Sequence, residues 1–281
     1  MRKLLLEQFY RLAASGWLPR KLFKDDLPNV KSTVPEGVLH VEIVSHCWMY
    51  SWLLTYQLSS LVLHPPSRLR VTMTVCHSPE DEQTLRVLRF FEAHHHSSLT
   101  WNWQPLPKER LFRRAIGRNQ AALATTADWI WFTDCDQVFH RGCLDALAKV
   151  LPGCAGPLVF PRQVGCTQLL DVDDPVFQAV SAGPALVDID PARFTPVTHT
   201  RAVGALQILR GDVARATGYC RHISFYQEPL SHWQKTYEDR TFRWLLGTQG
   251  EPIDVPGLYR IEHARKGRRS VGRGSSRLAP V

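Results

Sequence analysis

The sequence predicts an α/β fold with a mostly parallel central sheet flanked by helices, and three observations carry that prediction. Short apolar runs of strand type alternate with segments of helical spacing from Leu39 to Phe132. Helices of this length between successive strands are what parallel pairing with right-handed crossovers requires. The fourth run, Asp128-Trp129-Ile130-Trp131-Phe132-Thr133, has the unbroken apolar character of a wholly buried strand.

Residues 1–34 interleave Leu4, Leu5, Phe9, Leu12, Trp17 and Leu22 with Arg2, Lys3, Arg11, Arg20, Lys21 and Lys24. They predict one or two short amphipathic helices, which either pack on the domain or lie on an anionic membrane surface. Leu39–Ser45 follows as the first strand, and Ser51–Leu63 as a helix stopped by His64-Pro65-Pro66. Leu69–Cys76 is β-branched and reads as a strand; Pro79–Glu92 is a helix and Leu99–Trp103 a third strand. Arg113–Ala127 is the helix that leads into the fourth. Beyond it the pattern loosens. Strands are expected at Pro157–Phe160, Pro184–Ile189, Ala205–Leu209 and Ile253–Val255, and helices at Gly211–Gly218 and Tyr237–Leu246. The chain therefore divides into a basic extension (1–34), one α/β domain (35–264) and a basic Gly/Ser-rich tail (265–281).

At 281 residues, 44% hydrophobic and 21% charged, the chain can bury a sizeable core and is far from disordered composition. The apolar opening meets Glu7 and Gln8 too soon for a signal peptide. The segment Trp48–Leu63 is broken by Ser51, Gln57, Ser59 and Ser60 and falls short of the ~20 residues of a spanning helix. A soluble or peripheral protein is expected. The seven cysteines are scattered, with no CxxC pair, which excludes a zinc ribbon or disulfide framework and suits a reducing, cytoplasmic setting. The net charge of +8 points to an anionic partner. Its basic residues cluster at the termini without the aromatic-basic platform that single-stranded nucleic acids need, so no nucleic-acid partner is expected.

The chemistry concentrates after the fourth strand. Asp134-Cys135-Asp136 puts two carboxylates at its end, where ligands bind in open α/β sheets. Ending a buried strand in two charges is costly without a compensating partner, and a hard divalent cation with substrate phosphates supplies one. Far downstream, Glu238-Asp239 offers a second acidic pair that can deprotonate an attacking hydroxyl, or merely opens a helix. His263 is a candidate imidazole ligand. Three readings are set aside. His94-His95-His96 cannot all face one ion. Cys154 and Cys166 lack a base, and Asp171–Asp174 reads as a solvated loop. Trp101, Trp103, Trp233 and Trp244 are candidates for stacking on a sugar, with core packing as the default.

Gly117-Arg118-Asn119, followed by Ala127 through Asp136, resembles the core signature of family-2-type glycosyltransferases of the GT-A fold. The resemblance extends to Leu58-Ser59-Ser60-Leu61, to Val75 through Thr84, to Gly204 through Tyr219 and to Glu238-Asp239, covering roughly residues 39–263. It implies a sugar transferred from a nucleotide-diphosphosugar, a UDP- or GDP-sugar, to a hydroxyl on a glycan or lipid-linked glycan. It also implies Mn²⁺ or Mg²⁺ and, by direct displacement, inversion at the anomeric carbon. Asp136 would be the main metal ligand, with Asp134 on metal or ribose and His263 as a third ligand. Arg118 and Asn119 would position the donor, and Arg265, Lys266 and Arg268 would clamp its diphosphate. Asp239 would be the general base, with Glu238 its neighbour or substitute. At the second strand the usual base-contacting aspartate is replaced by the Cys76-His77 region, which leaves His77 or Asp81 to read the base; His46 is a further candidate contact. A retaining transferase or a sugar nucleotidyltransferase on the same fold is the alternative.

Overall fold

The structure, a computed structural model, describes residues 2–17, 37–171, 173–233 and 237–263. Helix α1 (Arg2–Leu12) opens it and sets Tyr10 against the rings of Phe225 and Tyr226 at 6.4 and 6.0 Å. Leu5, Phe9 and Leu12, spaced along one side of α1, are exposed.

Then comes the regular half: β1 (Leu39–Cys47), α2 (Ser51–Leu63), β2 (Leu69–His77), α3 (Glu82–Glu92), β3 (Leu99–Pro105), the short α4 (Lys108–Leu111), α5 (Arg114–Ala124) and β4 (Trp129–Phe132). The remainder is β5 (Gln137–Phe139), α6 (Cys143–Val150), β6 (Leu158–Pro161), β7 (Gln163–Cys166), α7 (Pro175–Gln178), β8 (Thr195–Thr198), β9 (Gln207–Arg210), α8 (Gly211–Thr217), α9 (Ser224–Gln227), α10 (Glu238–Leu246), β10 (Glu251–Ile253) and β11 (Leu258–Arg260).

Seven strands form the main sheet in the order β10-β6-β9-β4-β1-β2-β3. Its β4-β1-β2-β3 portion is parallel, with Val41 opposite Trp129 and Val44 opposite Phe132, whereas β9 runs antiparallel to both β4 and β6. The expected mostly parallel sheet is present. Every residue of β4 is buried, and so are all but His40 of β1, because helices cover both faces. The chain steps outward from β1 through β2 to β3, then returns to β4 on the other side of β1. That reversal opens a crevice at the carboxyl ends of β1 and β4.

Polar residues that interrupt α2 are the ones that tie it to the frame. Gln57 Nε2 donates to the carbonyl of Asp134 (2.9 Å), and Ser60 Oγ accepts from the backbone N–H of Phe139 (3.0 Å). Two expectations need correction. Pro184–Ile189 is not a strand: its backbone is held by Ser59, whose hydroxyl donates to Ala185 O (3.3 Å) and accepts from Val187 N (3.1 Å). The strand expected at Ile253–Val255 lies two residues earlier, as β10. A second sheet, β5-β11-β7-β8, and helix α6 were not anticipated.

Candidate active site

A cavity of about 230 Å³ opens at the crevice, lined among others by His46, Arg114, Asp134, Asp136, Trp233, Arg260 and His263. Three structural devices build it. The β4 strand ends at Phe132 and delivers Asp134 and Asp136 to the cavity edge. Helix α5 brings Arg114 and Arg118, one turn apart, onto Asp134. The small sheet brings the rest: Ile261 N donates to Asp136 O (3.0 Å), fastening the end of β11 to the acidic turn, so Arg260 and His263 face the same space.

Asp134 is the electrostatic hub. Arg114 Nη1 lies 2.6 Å and Arg118 Nη2 3.5 Å from its Oδ1, and Arg114 Nε reaches 3.8 Å to Glu238 Oε1. Burial alone would raise the Asp134 carboxyl, but the charges of Arg114 and Arg118 outweigh it and hold the pKa at about 2. The carboxylate is ionised at any physiological pH. Arg118 is 1% exposed, a charge that survives burial only because it is partnered. It donates to Tyr219 OH (3.0 Å), which in turn donates to Gln207 Oε1 (2.9 Å), and its guanidinium lies over the Tyr219 ring at 5.3 Å.

Two glycines of the sequence motifs are explained by close approach. A Cβ on Gly117 would lie 2.5 Å from His46 Nε2 and 2.9 Å from Cys76 Sγ, so only glycine lets α5 settle on the ends of β1 and β2. Gly218 has φ 61° and ψ −168°, a region essentially closed to other residues. A Cβ there would lie 2.3 Å from Asn119 Oδ1, the atom that accepts from the backbone N–H of Tyr219 (2.9 Å).

The sequence-predicted residues therefore separate into groups. His46, Asp134, Asp136 and His263 line the cavity. His46 is buried with no hydrogen-bond partner at either ring nitrogen, and burial followed by the charges of Arg118 and Arg114 keeps its imidazole neutral, with a pKa well below the usual value. His263 lies between aromatic edges, its ring 5.2 Å from Tyr50 and 5.1 Å from Trp52. Arg118 and Asn119 sit behind the wall, Arg118 on Asp134 and Asn119 on the Gly218-Tyr219 turn. Glu238 is buried beside Arg114, while Asp239, 30% exposed, lies 3.5 Å from Arg243 Nη1 and next to Gly204; neither is part of the cavity lining.

His77 and Asp81 are outside the cavity lining. Asp81 is committed to the scaffold: its carboxylate caps α3, accepting from Thr84 N (3.1 Å) and Thr84 Oγ1 (2.7 Å), and also holds Met49 N (2.5 Å). Arg265, Lys266 and Arg268 lie outside the described residues. Of the four tryptophans, Trp233 lines the cavity. Trp101 and Trp103 instead stack on one another at the sheet edge, 5.3 Å apart, and Trp244 packs against the core. Arg114 and Arg260 escaped the sequence reading. Arg114 was findable, since it stands four residues before Arg118 and so shares its helix face.

The donor set fits a divalent ion with a diphosphate. Asp136 offers carboxylate oxygen and His263 imidazole nitrogen, donor types that a divalent ion accepts, beside guanidiniums that match phosphate oxygens. Asp134, Asp136 and His263 do not, however, draw their ligand atoms together into a compact trio; among the described residues only His64, His140 and Asp188 do that, all within 4.8 Å.

No known sequence family matches the chain, and no curated protein matches it. Solved structures do. S. aureus TarS, residues 1–349, in complex with UDP-GlcNAc, aligns with TM-score 0.53 and 11% identity over 84% of this chain and 62% of that one. The mannosyltransferase PcManGT from Pyrobaculum calidifontis, in complex with GDP-Man and Mn²⁺, aligns with TM-score 0.45 and 15% identity over 93% of this chain and 65% of that one. This chain thus spans less than two thirds of the length of either. The fold is GT-A: a large, mostly parallel sheet flanked by helices.

Proposed function

We propose that the chain is a metal-dependent glycosyltransferase that moves a sugar from a nucleotide-diphosphosugar to a hydroxyl acceptor with inversion. One observation carries the reading: Asp134, Asp136 and His263 line a single cavity with Arg114 and Arg260 at the crevice of a GT-A sheet. Carboxylates and guanidiniums together suit a ligand that is both metal-bound and polyanionic, as a nucleotide diphosphate is. The complex of S. aureus TarS with UDP-GlcNAc supports a nucleotide-sugar donor.

In this reading Asp136 and His263 would hold the divalent ion, which would neutralise charge on the departing diphosphate. Asp134 stays ionised under Arg114 and Arg118 and orients the ribose or the ion. Arg114 and Arg260 meet phosphate oxygens, joined by Arg265 and Arg268 of the tail. Arg118 and Asn119 act through the wall, and Asp81 through the α3 cap. His46 offers a neutral ring to the base or ribose, and His77, at the end of the neighbouring strand β2, acts from outside the lining. Asp239 takes the acceptor proton, its half-open carboxylate favouring that role over the buried Glu238. The exposed Leu5, Phe9 and Leu12 of α1, with exposed Arg11 and the +8 charge, support a lipid-linked acceptor met at the inner, anionic face of a membrane. Among the described residues no helix is long and apolar enough to cross one.

The test is a transfer assay across UDP- and GDP-sugars with Mn²⁺, reading the product's anomeric configuration by NMR. A product of inverted configuration made only with metal supports the proposal. No glycoside from any nucleotide-sugar, together with pyrophosphate release from a nucleoside triphosphate and a sugar 1-phosphate, would assign the chain to the nucleotidyltransferases instead.

A further inference from the structure

A second cluster of metal-ligand type lies apart from the cavity. His64 follows the last turn of α2, His140 follows β5, and Asp188 belongs to the loop that Ser59 holds against α2. None of the three lines the cavity. His64 Nε2 lies 2.9 Å from Asp188 Oδ2, and His140 Nε2 3.7 Å from Asp188 Oδ1; the two imidazole rings are 4.2 Å apart. All three ligand atoms fall within 4.8 Å of one another.

From these positions we propose that His64, His140 and Asp188 bind a divalent transition ion of the zinc class, with solvent in the remaining position. Zinc bonds of about 2.0–2.2 Å to nitrogen and oxygen imply donor–donor edges of roughly 3.3 Å in a tetrahedron. The two nitrogen–oxygen separations, 2.9 Å from His64 to Asp188 Oδ2 and 3.7 Å from His140 to Asp188 Oδ1, lie on either side of that edge, and rotation of the carboxylate to share one oxygen between both rings would complete the geometry. Two imidazoles and one carboxylate select zinc, nickel or copper over magnesium or calcium, which need oxygen ligands. Asp188 is 41% exposed on its side chain, which leaves an entry path.

The consequence is structural. An ion here joins three segments distant in sequence: the end of α2, the end of β5 and the loop around Asp188. Strand β5 begins at Gln137, directly after Asp136, so the clip would anchor the far end of the segment that carries the acidic turn.

The test uses the full chain, stripped with EDTA and titrated with Zn²⁺ against a chromogenic chelator, with Co²⁺ absorption as a second readout. The wild-type chain and Asp136→Ala should both bind Zn²⁺ with equal affinity at this site and show tetrahedral Co²⁺ bands. His140→Ala should weaken that binding by more than about 100-fold, since loss of outer-shell partners alone costs 10–100-fold. Asp188→Asn, on an exposed loop, repeats the test with least risk to folding. Binding unchanged in both His140→Ala and Asp188→Asn would overturn the proposal, as would binding lost in Asp136→Ala and kept in His140→Ala.

Discussion

The two halves of the molecule build the same cavity by different means. From Leu39 to Asp136 the chain alternates strand and helix, and its contributions arrive at strand ends and helix starts. From Gln137 onward it makes short strands in two sheets, and its contributions arrive by long-range pairing: β11 lies between β5 and β7, and Ile261 N is fastened to Asp136 O. The first half therefore offers a rigid, periodic platform with the charges Asp134, Arg114 and Arg118. The second half offers Arg260 and His263, at and beyond the end of β11, a strand that means little until it pairs, and Glu238 beside Arg114 at the start of α10.

Substitutions on either side sharpen this contrast. The largest effect is expected from the platform: Asp136→Ala should lower transfer at least a thousandfold, in line with the several kcal/mol that a bound ion contributes. Next comes the opposite side. Asp239→Asn should lower kcat by about 10²–10⁴-fold while donor affinity stays within twofold of wild type, because a general base acts on the acceptor. Unchanged kcat would remove Asp239 from that role and pass it to Glu238. Donor binding lost together with kcat would instead mean that the second half holds the nucleotide as well.

Smaller effects probe where the halves meet. Gly218→Ala forces a Cβ into a glycine-only region and onto Asn119 Oδ1, at a cost of about 1–3 kcal/mol. Calorimetry should show Tm falling by about 2–4 °C for each of those kcal/mol. The smallest effect is a pH dependence. Hydrogen bonds from Arg193, 3.0 and 2.6 Å from the two Asp174 oxygens, outweigh burial and hold the Asp174 pKa below its usual value. A depressed carboxylate pKa stabilises the fold above the unfolded value, and that contribution is lost as pH falls through the folded one. Arg193→Ala should accordingly destabilise the chain at pH 7 and flatten the loss of stability below about pH 4. Parallel acid-unfolding curves for the two proteins would count against the clasp.

Legibility in the sequence follows the same divide. The buried run Trp129-Ile130-Trp131-Phe132 and the helices before it announced themselves by period, so the parallel portion and the place of the acidic turn could be read directly. Strands β5, β7 and β11, of three or four residues, are too short to show a period, and their sheet stayed invisible. Pro184–Ile189 has strand-like composition but is held by one serine side chain, a contact 126 residues away in sequence. Asp134, Asp136, His46 and His263 stood out in the sequence as candidates, the first two and His263 as ligands of one ion, and all four line one cavity. Asp81 read as a ligand contact because a helix cap and a binding carboxylate look alike in sequence. Arg260 had no local signal at all.

In the proposed function the cavity holds a nucleotide through a metal at Asp136 and His263. Calorimetric titration of UDP- and GDP-sugars into the wild-type chain and Asp136→Ala, with Mn²⁺ and with EDTA, tests it directly. Binding by the wild-type chain that needs Mn²⁺ and disappears in Asp136→Ala is the predicted result; equally tight, metal-dependent binding by Asp136→Ala would contradict it.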